Sequence, residues 1–183
     1  REWVDFKPLF KILSDLNSEI KLLIVGKEGR FKENIELAKK YNISDRVIFT
    51  GSIPYSEVPK YISAMDICLI PFIPNEISEN ALPLKLFEYM ACEKPVITTP
   101  ISPIKRIAGN NVLYATTEEE YKDVINILYI DEKLRKKLGQ EGRSIAEQYS
   151  WEKIALKLDN LLKEVAYGSE YIQSPITTPI SSF

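Results

Sequence analysis

The chain has 183 residues, 45% of them hydrophobic, with 24 Lys and Arg against 26 Asp and Glu, a formal charge of −2 and no histidine. That length and apolar content suit one domain with one good core, and the mixed, balanced charge excludes the basic footprint of a nucleic-acid-binding domain. Lack of histidine removes the commonest general base and metal ligand; Cys68 and Cys92, without metal-ligand spacing, read as buried thiols of a reducing compartment.

The N-terminal Arg-Glu-Trp-Val-Asp-Phe has no signal layout and passes at once into helical spacing, as though the chain were cut into midway. Trp3, Phe6, Leu9, Phe10, Ile12, Leu13 and Leu16 predict a helix, and the apolar run Lys21–Gly26 predicts a buried strand closed by glycine. The design repeats, with a helix over Phe31–Tyr41 and a strand over Arg46–Gly51. A third helix is expected around Ser56–Ala64, with Ser56 as N-cap, and leads to a strand at Asp66–Ile70. Pro71 and Pro74 then break regularity, so Phe72–Glu79 is expected to be loop. The longest apolar run, Ile67–Ile73, is far short of the ~20 residues a membrane-spanning helix needs.

A helix is expected from Pro83 to Cys92, then strands at Pro95–Thr99 and Asn111–Ala115. Strands that alternate with helices and are apolar along their length imply a parallel sheet covered on both faces, a doubly wound, Rossmann-like α/β fold. Glu118–Leu128, Glu132–Tyr149 and Trp151–Tyr167 read as three amphipathic helices, the last capped by Ser150. From Gly168 on, periodicity is lost, and residues 168–183 are expected to be a flexible tail following a domain over 1–167.

The segment Asn80–Thr99 carries the most chemistry. Pro83 suits the first helical position, which would turn the amides of Leu84 and Lys85 outward as an anion site. Lys85 in the first turn opposes the helix dipole unless something negative lies nearby, and a phosphate would supply it. Glu88 stands among Leu84, Phe87, Ala91 and Cys92, where a partly buried carboxylate needs partners. Read plainly, Glu88 and Lys85 also make an ordinary ion pair one turn apart. Gly51-Ser52-Ile53-Pro54 follows the second strand at its carboxyl end, where open α/β sheets bind ligands, and equally reads as a tight turn. Gly26 and Lys27 follow the first strand.

Taken in order, Leu23–Glu28, Ile43–Pro54, Tyr61–Pro71, Leu82–Thr99 and Tyr149–Glu152 resemble the C-terminal half of a family 4 (group 1) glycosyltransferase of the two-domain GT-B fold, over roughly Trp3–Val165. The resemblance implies a domain that binds a nucleoside diphosphate sugar, an N-terminal domain of the same polypeptide that binds the acceptor, and a cleft between them. The family's two glutamates, separated by seven residues, fall on Asn80 and Glu88. Glu88 would hold the ribose hydroxyls. Asn80, uncharged in place of glutamate, would meet the transferred sugar. Gly51, Ser52 and Ile53 would meet the base, and Gly26, Lys27, Leu84 and Lys85 the diphosphate, with Asn80 and Lys85 closest to the chemistry. Trp3 and Asp5 align loosely with a segment that follows the family's first strand of this domain, and that strand's absence would leave its neighbour unpaired on one side.

The implied function is transfer of a hexosyl group, with retention, to a glycan, lipid-linked or small-molecule acceptor. Neither cofactor nor metal is expected beyond the donor substrate, and nucleic acid is not a partner. The fragment alone is expected to be inactive, and the whole protein to be cytoplasmic, with peripheral contact at the inner membrane face through the other domain. Two alternatives stay open: a nucleotide-sugar 2-epimerase of GT-B architecture, against which the missing histidine weighs, and a non-catalytic nucleotide-sugar-binding module, which Asn80 favours.

Overall fold

The computed structural model describes residues 6–26 and 31–167. These fall into two compact units, one ending at Glu147 and the other beginning at Gln148. Trp3, Asp5, Lys27 and the tail 168–183 lie outside the described residues.

The first unit alternates helix and strand as expected. Helix α1 (Lys7–Asp15) leads to β1 (Leu22–Ile24), α2 (Phe31–Lys40) to β2 (Val47–Phe49), and α3 (Val58–Ser63) to β3 (Cys68–Ile70). Helices α4 (Glu76–Glu79) and α5 (Leu84–Ala91) precede β4 (Val96–Thr98). Helix α6 (Ser102–Ala108) precedes β5 (Leu113–Tyr114), and α7 (Glu118–Ile130) and α8 (Glu132–Ala146) complete the unit.

All strand pairs are parallel. Instead of one continuous sheet they form two, β1-β2 and β3-β4-β5. Residues on β3 and β4 alternate between two cores, as the strand period of two requires. Cys68, Ile70 and Val96 pack with Ile62 of α3, Leu86 and Met90 of α5 and Ile104 of α6. Ile67, Leu69 and Ile97 pack with Leu9, Ile12 and Leu16 of α1 and with Tyr121, Ile125 and Leu128 of α7. Helices therefore cover both faces, and the α/β, doubly wound class holds. A third cluster joins Phe10 and Leu13 of α1 to Ile24 and Val47. Burying a side chain such as the fully enclosed Phe10 is worth about 1.5–3 kcal/mol.

One buried polar side chain secures the approach to β1. Arg46, just before β2, donates from Nε to Ile20 O (3.0 Å) and from Nη2 to Asn17 O (2.8 Å) and Leu16 O (3.4 Å). The turn from α1 into β1 thus has its carbonyls satisfied by a guanidinium.

Local expectations fail at four places. Ser56 is not a cap: a 3₁₀ turn over Tyr55–Glu57 precedes α3, whose N-cap is Glu57, without a side-chain cap bond. Residues 72–79 are not all loop, because Asn75 accepts from Ser78 N while Ser78 Oγ accepts from Asn75 N, a reciprocal cap that starts α4. Pro83 is the N-cap of α5, with extended ψ of 130°, so helical geometry begins one residue later. Helix α6, which the periodicity did not suggest, is seven residues between Ile101 and a positive-φ Gly109 (φ 53°), too short for a clear period.

Helix α8 lies close against α5 and the turn after it. A Cβ on Gly139 would stand 2.2 Å from the carbonyl oxygen of Glu93, whereas one on Gly142 would stand 3.1 Å from Cγ of Met90. The first contact is with backbone, the second with a flexible side chain.

The second unit is described by α9 (Trp151–Tyr167) and the turn before it. Ser150 Oγ accepts from Lys153 N at 3.4 Å, the expected cap, and Lys163 pairs with Asp159 one turn back at 2.7 Å. Among the described residues no helix is long and apolar enough to cross a membrane.

Candidate functional site

The loops after β1 and β2 are tied together at the carboxyl ends of those strands. Gly26 (φ 110°) and Gly51 (φ 66°) form an isolated antiparallel bridge. Both angles lie where a side chain is strained, so glycine is required here by the turn itself. Thr50 joins them, accepting from Gly26 N (3.2 Å) and donating to Gly51 O (2.9 Å). Beyond the bridge, Ser52 is exposed and Ile53 half-buried.

Helix α5 comes alongside this loop through one bond. Tyr55 donates its phenolic O–H to Glu88 Oε1 at 3.0 Å across 33 residues of chain. The accepting carboxylate and its negative charge hold the Tyr55 phenol above its ordinary value. Glu88 is half-buried, on the side of α5 that faces the loop. Tyr55, which the sequence reading did not single out, ties the loop that begins at Gly51–Ile53 to Glu88. An aromatic after Gly-x-x-Pro was a signal that periodicity could not weigh.

Lys85 and Leu84 occupy the first turn of α5. Lys85 is half-buried with Nζ 5.6 Å from the centroid of the Phe72 ring, a cation–π distance. Leu84 is 65% exposed. Exposed apolar neighbours Ile73, Ile77 and Leu82 stand in the same 72–84 stretch.

Asn80 is exposed at the C-cap of α4 and donates from Nδ2 to Glu76 O at 2.8 Å. One side-chain function of this residue is therefore closing a short helix. Its neighbour Glu79 accepts, at 3.4 Å each, from the backbone N and Oγ of Ser102 at the start of α6. Glu79, expected to lie in a loop, anchors the α4 segment to α6, where a carboxylate complements a helix start.

Cys68 is buried and its thiol is pushed up to about 12, chiefly by desolvation. It is a packing residue without nucleophilic character.

Comparison with known proteins fits this architecture. An uncharacterized glycosyltransferase of Methanocaldococcus jannaschii is 28% identical over 162 residues, which are 86% of this chain and 44% of that protein. The N-acetyl-alpha-D-glucosaminyl L-malate synthase of Bacillus anthracis is 29% identical over 162 residues, 85% of this chain and 40% of that protein. The chain thus spans less than half the length of these curated relatives. The crystal structure of Anabaena HepE in complex with UDP-glucose superposes with a TM-score of 0.76 at 19% identity, covering 90% of this chain and 46% of that one. Residues 5–145 match the family model of Glycosyl transferases group 1. With parallel strands wound on both faces and the ordered motifs from Leu23 to Thr99 inside that match, the chain belongs to the group 1 glycosyltransferases, of GT-B fold.

Proposed function

We propose that this chain is the donor-binding half of a glycosyltransferase and takes a nucleoside diphosphate sugar at the carboxyl ends of β1 and β2, beside α5. The observation that carries the reading is the bond from Tyr55 to Glu88. It demonstrates, at the spot where the loop after β2 meets α5, a carboxylate that accepts from a hydroxyl. A carboxylate has about four acceptor positions, so Glu88 can accept from vicinal ribose hydroxyls in the same way. The HepE complex with UDP-glucose lends support to this class of ligand.

In this reading the base meets Gly51, Ser52 and Ile53, and the diphosphate meets Gly26, Lys27 and the first turn of α5 at Leu84 and Lys85. As the bond from the anomeric carbon to the diphosphate oxygen breaks, its electron pair stays on the diphosphate. The first amides of α5 and the Lys85 ammonium then stabilise the growing charge. Asn80 orients the transferred sugar. The reading uses no resident metal or cofactor. Transfer proceeds with retention to a glycan or lipid-linked acceptor held by an N-terminal domain of the same polypeptide. The whole protein works in the cytoplasm, at the inner membrane face when its acceptor is lipid-linked.

A second reading, a binding module without transfer, is favoured by the engagement of the Asn80 amide with Glu76 O. Calorimetric titration of the chain with UDP and with GDP tests binding, and turnover of labelled UDP-glucose or GDP-mannose by the full-length protein tests transfer. Binding with transfer supports the first reading, and binding without transfer the second. No binding of either diphosphate defeats both.

A further inference from the structure

Two braced stretches of backbone meet at the bond between Tyr55 and Glu88. On one side, Gly26 and Gly51 are bridged and clasped by Thr50. Pro54 then opens the 3₁₀ turn, in which Glu57 N donates to Pro54 O at 3.0 Å and Val58 N donates to Tyr55 O. The Glu57 carboxylate of that turn is engaged by Lys60 at 2.8 Å and is not the acceptor of the phenol. On the other side, Leu86 and Met90, which flank Glu88 in α5, are 0% and 1% exposed and belong to the core. With both backbones held, what is left to be fixed is the Glu88 side chain, a run of single bonds ending in the carboxylate.

Among the described residues the phenol is the one hydrogen-bond donor to that carboxylate, at Oε1, and Oε2 receives none. Lys85, one turn earlier, holds its ammonium 5.6 Å from the centroid of the Phe72 ring, and no ion pair joins it to Glu88. Tyr55 is 78% exposed, so its ring adds little burial. A bond between two accessible groups also adds little to folding, because water serves both when it breaks. What the bond changes is the freedom of the carboxylate. A side chain that must be immobilised when a ligand arrives weakens the complex by roughly two- to tenfold. One that is already held does not carry that cost. The donor type matters as well: an arginine in this place would grip both oxygens as a fork, whereas a single O–H takes one and leaves the other.

We propose that Tyr55 is a positioning residue for the nucleotide: its O–H fixes Oε1 of Glu88 so that Oε2 is presented to the ribose, and the chain thereby selects ligands that carry the vicinal 2′,3′-diol over those that lack it. The inference rests on the nucleotide site proposed above and adds to it a residue that acts on the sugar only through Glu88. The ligand class it names is a ribonucleoside diphosphate, discriminated by its hydroxyls.

The test is calorimetric titration of the chain and of Tyr55→Phe with UDP and with 2′,3′-dideoxy-UDP, which keeps base and diphosphate and lacks both hydroxyls; GDP and its dideoxy form are run in parallel. The parent is expected to prefer the ribonucleotide by about tenfold or more, since the hydroxyls bond a charged acceptor. In Tyr55→Phe that preference is expected to fall by roughly two- to tenfold, with affinity for the dideoxy ligand unchanged. Phe keeps the ring at an exposed position, and circular dichroism checks that the variant folds. Glu88→Ala and the double variant complete a cycle: once Glu88 is gone, Tyr55→Phe is expected to change neither affinity.

Loss of affinity for both ligands in equal proportion marks a structural role and overturns the proposal. An unchanged preference in Tyr55→Phe overturns it too, as does a parent that binds both forms equally. A tighter ribonucleotide complex in Tyr55→Phe would show the phenol competing with the ribose for Glu88, which also defeats it. In each of these cases the parent still binds the diphosphate, and the nucleotide site stands. If the parent binds neither form of either nucleotide, the site and the role of Tyr55 fall together.

Discussion

Tyr55 and Glu88 are joined by a 3.0 Å hydrogen bond that closes the gap between the loop after β2 and the second turn of α5. The phenol is largely exposed, so the bond matters more for where the carboxylate points than for how firmly the chain folds. Replacing Tyr55 with Phe removes the donor and returns Glu88 to solvent. The sign with pH follows from the raised phenol: a proton-bearing form favoured by the fold contributes stability below the unfolded value near 10.0, and this is lost as pH rises through the folded value. The Tm difference between the parent chain and Tyr55→Phe is therefore expected to shrink from pH 9 to pH 11. A constant difference would show that the phenol is not held by Glu88.

Glu88→Ala should weaken UDP binding by about 1–3 kcal/mol, the cost of losing a hydrogen-bonded carboxylate. Glu88→Gln, which keeps one acceptor, should lose less. Calorimetry on both variants, with folding checked by circular dichroism, decides it; equal affinity in folded Glu88→Ala would remove the ribose role.

Gly139→Ala and Gly142→Ala should diverge although both add one methyl to α8. The first drives Cβ into the Glu93 carbonyl at 2.2 Å and should cost about 1–3 kcal/mol or more through backbone displacement. The second meets Met90 Cγ at 3.1 Å, which can move, and gains up to about 1 kcal/mol of helix propensity. Urea midpoints of the two variants read the contrast directly.

Arg46→Met keeps most of the stem and removes the three bonds to Leu16, Asn17 and Ile20 carbonyls. Leaving buried acceptors unsatisfied costs about 1–3 kcal/mol each at most, with water recovering part. A fall of the unfolding midpoint, with faster exchange of the Leu22 amide that bonds Arg46 O, is the expected pair of results.

Cys68, with its thiol pushed up to about 12, should resist iodoacetamide at pH 8 in the folded chain and react once urea unfolds it. Peptide mass spectrometry distinguishes it from Cys92, which is half-buried.

Where burial sets the pattern, the sequence was readable. Leu22–Ile24, Cys68–Ile70 and Val96–Thr98 are strands because apolar runs ending at glycine or proline have few other places to go. Short elements set by side-chain caps were less so. The Asn75–Ser78 pair makes four residues of helix from what composition alone calls a linker. The division into two sheets, β1-β2 and β3-β4-β5, left no mark in the apolar runs, which look alike in both. At the site, Glu88 and the Gly51–Ile53 loop were singled out through the family resemblance, and the structure sets Tyr55, just beyond that loop, against Glu88. Tyr55 itself was not singled out, since a single phenol reaching across 33 residues leaves no local signature. Asn80 was read only as a ligand contact, and its bond to Glu76 O adds a structural duty.

Because Gly26 and Gly51 sit back to back with Thr50 as their clasp, the two turns behave as a single hinge block. An insertion in either would drag the other out of place, so variation in loop length is confined to the stretches beyond the clasp.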